Sequence, residues 1–211
     1  MEAVNVGTPR AIERSNGTVE TSAIWKSPVE GRVPLRGVNF DGDDQADRRV
    51  HGGPDQAVYA YAIEDTEFWE AELERMLGPG AFGENLTVRG LDLNRALVGE
   101  RWAVGSALLE VTAPRIPCWK LAKKMEDPFF IKRFAAAGRP GVYLRILEEG
   151  DIGAGDEIEI VARPTEHEVT IALMNQVLLF DHQDAELLLP APIPARVRAW
   201  AEEIAAYSST K

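Results

Sequence analysis

The sequence predicts a mainly β, barrel-like domain with a few inserted helices, followed by a small C-terminal helical segment. Three observations lead there. Short β-rich runs recur between turn residues over 18–25, 57–61, 86–88, 101–104, 107–112, 141–147 and 156–161. Only two helix-length stretches interrupt them, which disfavours repeated βαβ units. The texture then changes at Arg163-Pro164, beyond which 169–179 and 194–207 read as helices. The expected division is therefore residues 1–163 for the β domain and 164–211 for the helical segment.

Taken in order, Ser15-Asn16-Gly17 has the chemistry of a hairpin turn before the run 18–25. Residues 26–56 lack apolar periodicity and are rich in Gly, Pro and Asp, which marks a functional or disordered loop. After the strand 57–61, Asp65 is a candidate cap for a helix through Phe68, Trp69, Leu73, Met76 and Leu77, ended by Gly78-Pro79-Gly80. A hairpin is expected across Gly105-Ser106. A second helix should start at Asp127 or Pro128 and end near Gly138. Residues 148–155 read as connections between the last two strands. Thr165 and Glu168 have the spacing of a capping box. His167 and His182 read as surface residues, and 181–189 as a candidate third helical piece.

Composition narrows the classes of function. The 211 residues carry a net charge of −11, which argues against a nucleic-acid-binding surface but leaves room for a local cationic pocket. One cysteine forms no internal disulfide, which suggests a reducing, cytoplasmic compartment. No signal-peptide pattern opens the chain, and no apolar run reaches the length of a membrane span. The apolar faces of the tail helices could dock on the β domain or on a second copy, giving a homodimer.

Four phrases could carry chemistry. In Pro114-Arg115-Ile116-Pro117-Cys118-Trp119-Lys120 the prolines stiffen an irregular turn, and Arg115 and Lys120 would stabilise a Cys118 thiolate. Such a thiolate is a nucleophile or a soft metal ligand; otherwise Cys118 is a small buried apolar residue. Arg48-Arg49-Val50-His51-Gly52-Gly53 could bind a phosphate through Arg49, His51 and close backbone, or form an ordinary turn. In Phe82-Gly83-Glu84-Asn85-Leu86, Glu84 could transfer a proton and Asn85 could both donate and accept. Lys26 and Ser27, at a strand end, could bind an anion or be solvated. No zinc pattern, Walker phosphate loop or dinucleotide fingerprint is present.

In their order these phrases, together with Gly37-Val38-Asn39-Phe40-Asp41-Gly42-Asp43-Asp44-Gln45-Ala46-Asp47, resemble the MOSC domain family, and within it the bacterial YiiM-like proteins, over about residues 20–161. The resemblance implies a β-rich barrel and a shortened three-helix tail. It implies a molybdenum cofactor, a pterin dithiolene with a phosphate, for which Cys118 occupies the position of the protein ligand to the metal. It further implies reduction of N-hydroxylated compounds, such as 6-hydroxylaminopurine to adenine, with electrons from a separate reductase. His51 or Glu84 would donate protons. Lys26, Ser27 and Arg49 would hold the phosphate, Asn85 the pterin or phosphate, and Arg115 and Lys120 would offset the cofactor's charge. The alternatives are a cofactor carrier or sulfur-transfer module with a Cys118 persulfide, and a non-catalytic anion-binding module.

Overall fold

Val58–Ala62 is buried at all five positions, so this strand lies inside the protein with packing on both faces. Val58, Ala60 and Ala62 join one apolar core, while Tyr59 and Tyr61 point into a second, as the two-residue period of a strand requires. The protein is described here from a computed structural model covering residues 1–14, 16–46 and 52–208. In chain order its strands are β1 (Ala3–Val6), β2 (Arg10–Glu13), β3 (Val19–Ser22), β4 (Ser27–Pro28), β5 (Arg32–Arg36), β6 (Asn39–Phe40), β7 (Val58–Ala62), β8 (Leu86–Val88), β9 (Arg101–Val104), β10 (Ala107–Pro114), β11 (Val142–Glu148), β12 (Gly150–Gly153) and β13 (Ile158–Ala162). Its helices are α1 (Ile63–Leu73), α2 (Trp119–Met125), α3 (Phe130–Ala137), α4 (Ile171–Leu179) and α5 (Ala195–Ser208).

Eight strands form one sheet in the order β13-β9-β10-β11-β7-β8-β1-β4, with β12-β5-β6 and β2-β3 as smaller sheets. Among the described residues β13 and β4 do not pair, so the expected barrel is a mixed, sheet-rich fold with several helices. The pairings are antiparallel except β7 with β8, which run parallel around α1. One βαβ unit is thus present, and it is not repeated among the described residues.

Several local expectations are corrected. The run 26–56 contains β5, whose Val33 and Leu35 are buried on alternate positions. Residues 150–153 are a strand paired to β5, rather than a connection. Gly150 permits this crossing, because a Cβ there would collide with the backbone of Ser106 and Ala107. Helix α1 stops at Leu73, with Glu74 left-handed at φ 50°. Asp65 does not cap it; its carboxylate pairs with Arg139. Helix α4 is capped by Thr170, whose hydroxyl accepts from Leu173 N at 3.1 Å, in place of the Thr165 box. His167 is buried, not on the surface, and its Nδ1 accepts from Val169 N at 3.2 Å. His182 is exposed, at the start of a 3-10 turn over His182–Leu188.

The tail does not stand apart in its packing. Met174, Val177, Leu188 and Ala201 share the main core with Val104, Leu109 and Leu144 of the sheet. The second core lies on the other face of β7, where α1 and α3 bring Trp69, Phe130 and Phe134 against Tyr61 and Phe82. Trp69 is 2% exposed and donates through Nε1 to the Tyr61 hydroxyl at 3.0 Å. Trp69→Ala is expected to cost about 3–5 kcal/mol, read as a shifted midpoint in urea. A change below ~1 kcal/mol would mean that this cluster collapses around the void.

Candidate functional site

The ends of β10 and β11 meet the helix-side face of β7, and a pocket opens where they converge. Strand β10 is bulged between Val111 and Ala113, which bends its last residues toward this point. Thr112 marks the bulge, with its hydroxyl 2.6 Å from the Asp55 carbonyl oxygen and 3.0 Å from that of Tyr143. Beyond Pro114 the chain runs through Arg115 to Cys118, which is extended at φ −134° and stands at the N-terminal boundary of α2. The stiff turn expected from the two prolines therefore leads directly into a helix that the sequence did not disclose.

Lys26, Asn85, Arg115, Cys118 and Lys120 all line this pocket, with Tyr59 and Tyr143 as its aromatic wall. Cys118 is partly exposed there. The Arg115 guanidinium is buried, donates to the Phe82 carbonyl and lies 5.0 Å from the centre of the Tyr59 ring. Burial works against its charge, but Tyr59, Tyr143 and the nearby Cys118 outweigh this and raise its pKa. Burial also raises the hydroxyls of Tyr59 and Tyr143, which stay protonated across the physiological range. Lys120 reaches the Thr21 carbonyl at 3.2 Å and Glu20 at 3.7 Å.

Lys26 pairs with Asp43, and both side chains are almost wholly buried. Asp43 also accepts from Asn85 Nδ2 at 2.8 Å and Gly7 N at 2.9 Å. Burial lowers the Lys26 pKa, while Asp43 acts against that shift. Asn85 is fixed further by Tyr59 N, which donates to its Oδ1 at 3.2 Å. Asp43 is thus an internal anion at the cationic position that the sequence assigned to a ligand. It lay within the loop phrase 37–47, but the phrase itself did not single it out.

Glu84 is fully buried and is not among the described residues that line the pocket. Gly83 turns left-handed at φ 77°, and the Glu84 carboxylate folds back to accept from Gly80 N at 2.5 Å and Phe82 N at 2.9 Å. The Thr87 hydroxyl donates to it at 2.9 Å. Burial raises its pKa against these hydrogen bonds. Its oxygens are thus taken up by the loop's own N–H groups and the Thr87 hydroxyl. Ser27 is exposed on β4, paired in register with Val6, and is not among the pocket residues. Arg49 and His51 lie outside the described residues.

Lys124 on α2 was missed in the sequence because that helix was not foreseen. Its ammonium donates to the Ile24 carbonyl at 2.8 Å and the Gly80 carbonyl at 2.5 Å, tying α2 to two loops around the pocket. Burial pushes its pKa down to about 8, with Glu84 acting in the opposite sense. Between about pH 8 and its ordinary pKa of 10.5, the folded protein binds fewer protons at this site than the unfolded chain. Lys124 thus contributes a rise in stability as pH increases through that window. Denaturant titrations from about pH 7.5 to about pH 9.5 should show this rise in wild type relative to Lys124→Met. Parallel pH profiles would contradict it.

A family model for the MOSC domain matches residues 47–159. The Bacillus subtilis protein YflK is 38% identical over 179 residues, covering 85% of this chain and 80% of its own length. A Gibberella moniliformis protein named reductase is 35% identical over 148 residues; the match covers 68% of this chain but 26% of that longer protein. Among solved structures, YiiM from Geobacillus stearothermophilus superposes with a TM-score of 0.78 at 30% identity, with 96% of each chain covered. Among the described residues no helix is long and apolar enough to cross a membrane.

Proposed function

The chain belongs to the MOSC domain family and is YiiM-like, and from that premise we propose that it is a molybdenum-cofactor-dependent reductase of N-hydroxylated compounds. The observation that carries this reading is the meeting of Cys118 with Arg115, Lys120, Lys26 and Asn85 in one pocket. These residues fit the cofactor by their chemistry. Cys118 offers one soft sulfur donor; Arg115 and Lys120, with Lys26 once released from Asp43, would offset an anionic phosphate and dithiolene against Asp43 and Asp44, which also line the pocket. Among the described residues no cluster of three or more His, Cys, Asp or Glu could hold a metal, so the remaining donors would belong to the cofactor.

When bound, the molybdenum centre would supply two-electron chemistry that removes the oxygen of an N–OH group. The chain's own part is binding, orientation and charge. Cys118 would hold the metal from the start of α2, and Arg115 would keep that thiolate ionised. Lys120 and Lys26 would meet the phosphate, Lys26 by exchanging Asp43 for it. Asn85, held by Tyr59 N, would present its amide to the pterin or phosphate. Converting N–OH to N–H with release of water consumes two protons and two electrons. His51 remains our proposed proton donor, with Arg49 as a further phosphate ligand. Ser27 and Glu84 take no direct part in this scheme. The electrons would come from a separate reductase.

Cofactor-loaded protein, given 6-hydroxylaminopurine and a reduced viologen dye, is expected to form adenine, with two dye molecules oxidised per adenine. Loaded protein that leaves the substrate intact would overturn the reading. A persulfide on Cys118, found by mass spectrometry in that inactive protein, would favour sulfur transfer instead.

A further inference from the structure

Cys118 also lines a second opening, whose lining does not include Lys26 or Asp43. This groove runs between the turn 114–118 and the tail, with Ile116 and Pro117 on one wall and Leu178, His182, Arg196 and Trp200 on the other. It shares Gln56, Cys118 and Tyr143 with the pocket described above, so the two spaces meet at the thiol. Leu178, Val197 and Trp200 are partly buried against the main core, while His182 and Arg196 beside them are exposed.

The lining has a definite character. Ile116 is 42% exposed, an apolar side chain presented to the groove. Trp200 is half-buried, and His182 stands edge-on to it at 5.6 Å with an interplanar angle of 88°. The imidazole is held by its Nε2, 3.1 Å from the Leu178 carbonyl oxygen. Arg196 and Trp200 are four residues apart on α5 and so share one face. Arg196 is exposed and makes no ion pair among the described residues, whereas Arg198 is tied to the Ala191 carbonyl at 2.7 Å. Among the described residues no carboxylate lines the groove, although the chain carries a net charge of −11. An aromatic side chain beside an exposed guanidinium, with no acid among the described lining residues, suits a planar ring that bears an anion.

We propose that this groove is the substrate subsite, and that it takes a purine nucleoside monophosphate, with the base against Trp200 and Pro117 and the phosphate at Arg196. The inference rests on the reductase reading only in calling the occupant a substrate; the binding itself does not need the redox chemistry. It gives the tail a direct part in recognition, since Leu178, His182, Arg196 and Trp200 all come from that segment.

The test is calorimetric titration of the purified full chain with adenosine monophosphate and with adenosine. Wild type is expected to bind the monophosphate about tenfold more tightly, the worth of one charge-assisted contact. Arg196→Ala should abolish that preference, and Arg196→Lys should restore part of it. Trp200→Ala should weaken both ligands about fivefold or more. Circular dichroism and melting curves would establish that each variant is folded. Absent monophosphate binding, or folded variants that bind as wild type does, would overturn the inference. If binding follows these residues but cofactor-loaded protein reduces no N-hydroxylated purine, the reductase reading falls and the groove stands. If the enzyme is active and neither variant changes its KM, the groove inference falls alone.

Discussion

Glu84→Ala is expected to destabilise the protein by about 3 kcal/mol or more, which for a chain of this size lowers the melting temperature by about 10 °C. The reason is the number of partners left behind. Gly80 N, Phe82 N and the Thr87 hydroxyl all donate to this one buried carboxylate. Removing it strands donors in the loop that carries Asn85 and that receives Arg115 at the Phe82 carbonyl. The raised pKa of Glu84 shows that burying the group has a cost, but deletion of an acceptor is worse than its retention. Glu84→Gln keeps a carbonyl acceptor yet turns an amide toward N–H donors, so an intermediate loss of about 1–2 kcal/mol is expected. Calorimetric melting of the three proteins measures this series. An unshifted Glu84→Ala melting curve, combined with lost activity in loaded protein, would return Glu84 to a proton-transfer part.

Cys118→Ser should behave in the opposite way, with stability nearly unchanged and reductase activity down by at least about a hundredfold. Cys118 makes no side-chain cap hydrogen bond at the start of α2, so serine removes no capping bond there. A hydroxyl is a harder donor than a thiolate and is not ionised at neutral pH, so it is a poor substitute ligand. The surrounding cations would remain. Any residual cofactor binding through Arg115, Lys120 and Lys26 should therefore be weak and salt-sensitive. Turnover of 6-hydroxylaminopurine by loaded wild type and variant, normalised to folded protein, reads the effect. Equal turnover would remove Cys118 from the chemistry.

The legible parts of the fold were those with strong local punctuation. The hairpin across Gly105-Ser106 and the end of α3 at Gly138 arise from turn and cap residues that act locally. Strands β5 and β12 were hidden because each is short and needs the other as its partner, a pairing 115 residues apart for Arg36 and Asp151 side chains in the same ladder. Helix α2 was hidden by the two prolines just before it, which marked the turn but gave no sign of the helix beyond. Within the site, the Cys118 phrase was readable because Arg115 and Lys120 sit beside it in sequence. Asp43 was not, since its partners Lys26, Asn85 and Gly7 N come from three distant segments. Lys124 became significant only once α2 placed it over the Gly80 carbonyl. The tail groove was beyond sequence reasoning for the same reason: Trp200 and Arg196 meet the cysteine turn only through tertiary packing.

The proposed chemistry depends above all on Cys118 as the residue that holds molybdenum. Elemental analysis of wild type and Cys118→Ser, both produced in a host that makes the cofactor, measures this. Near-stoichiometric molybdenum is expected in wild type, with a sharp fall in the folded variant. Equal molybdenum in both, or none in wild type, would contradict that role.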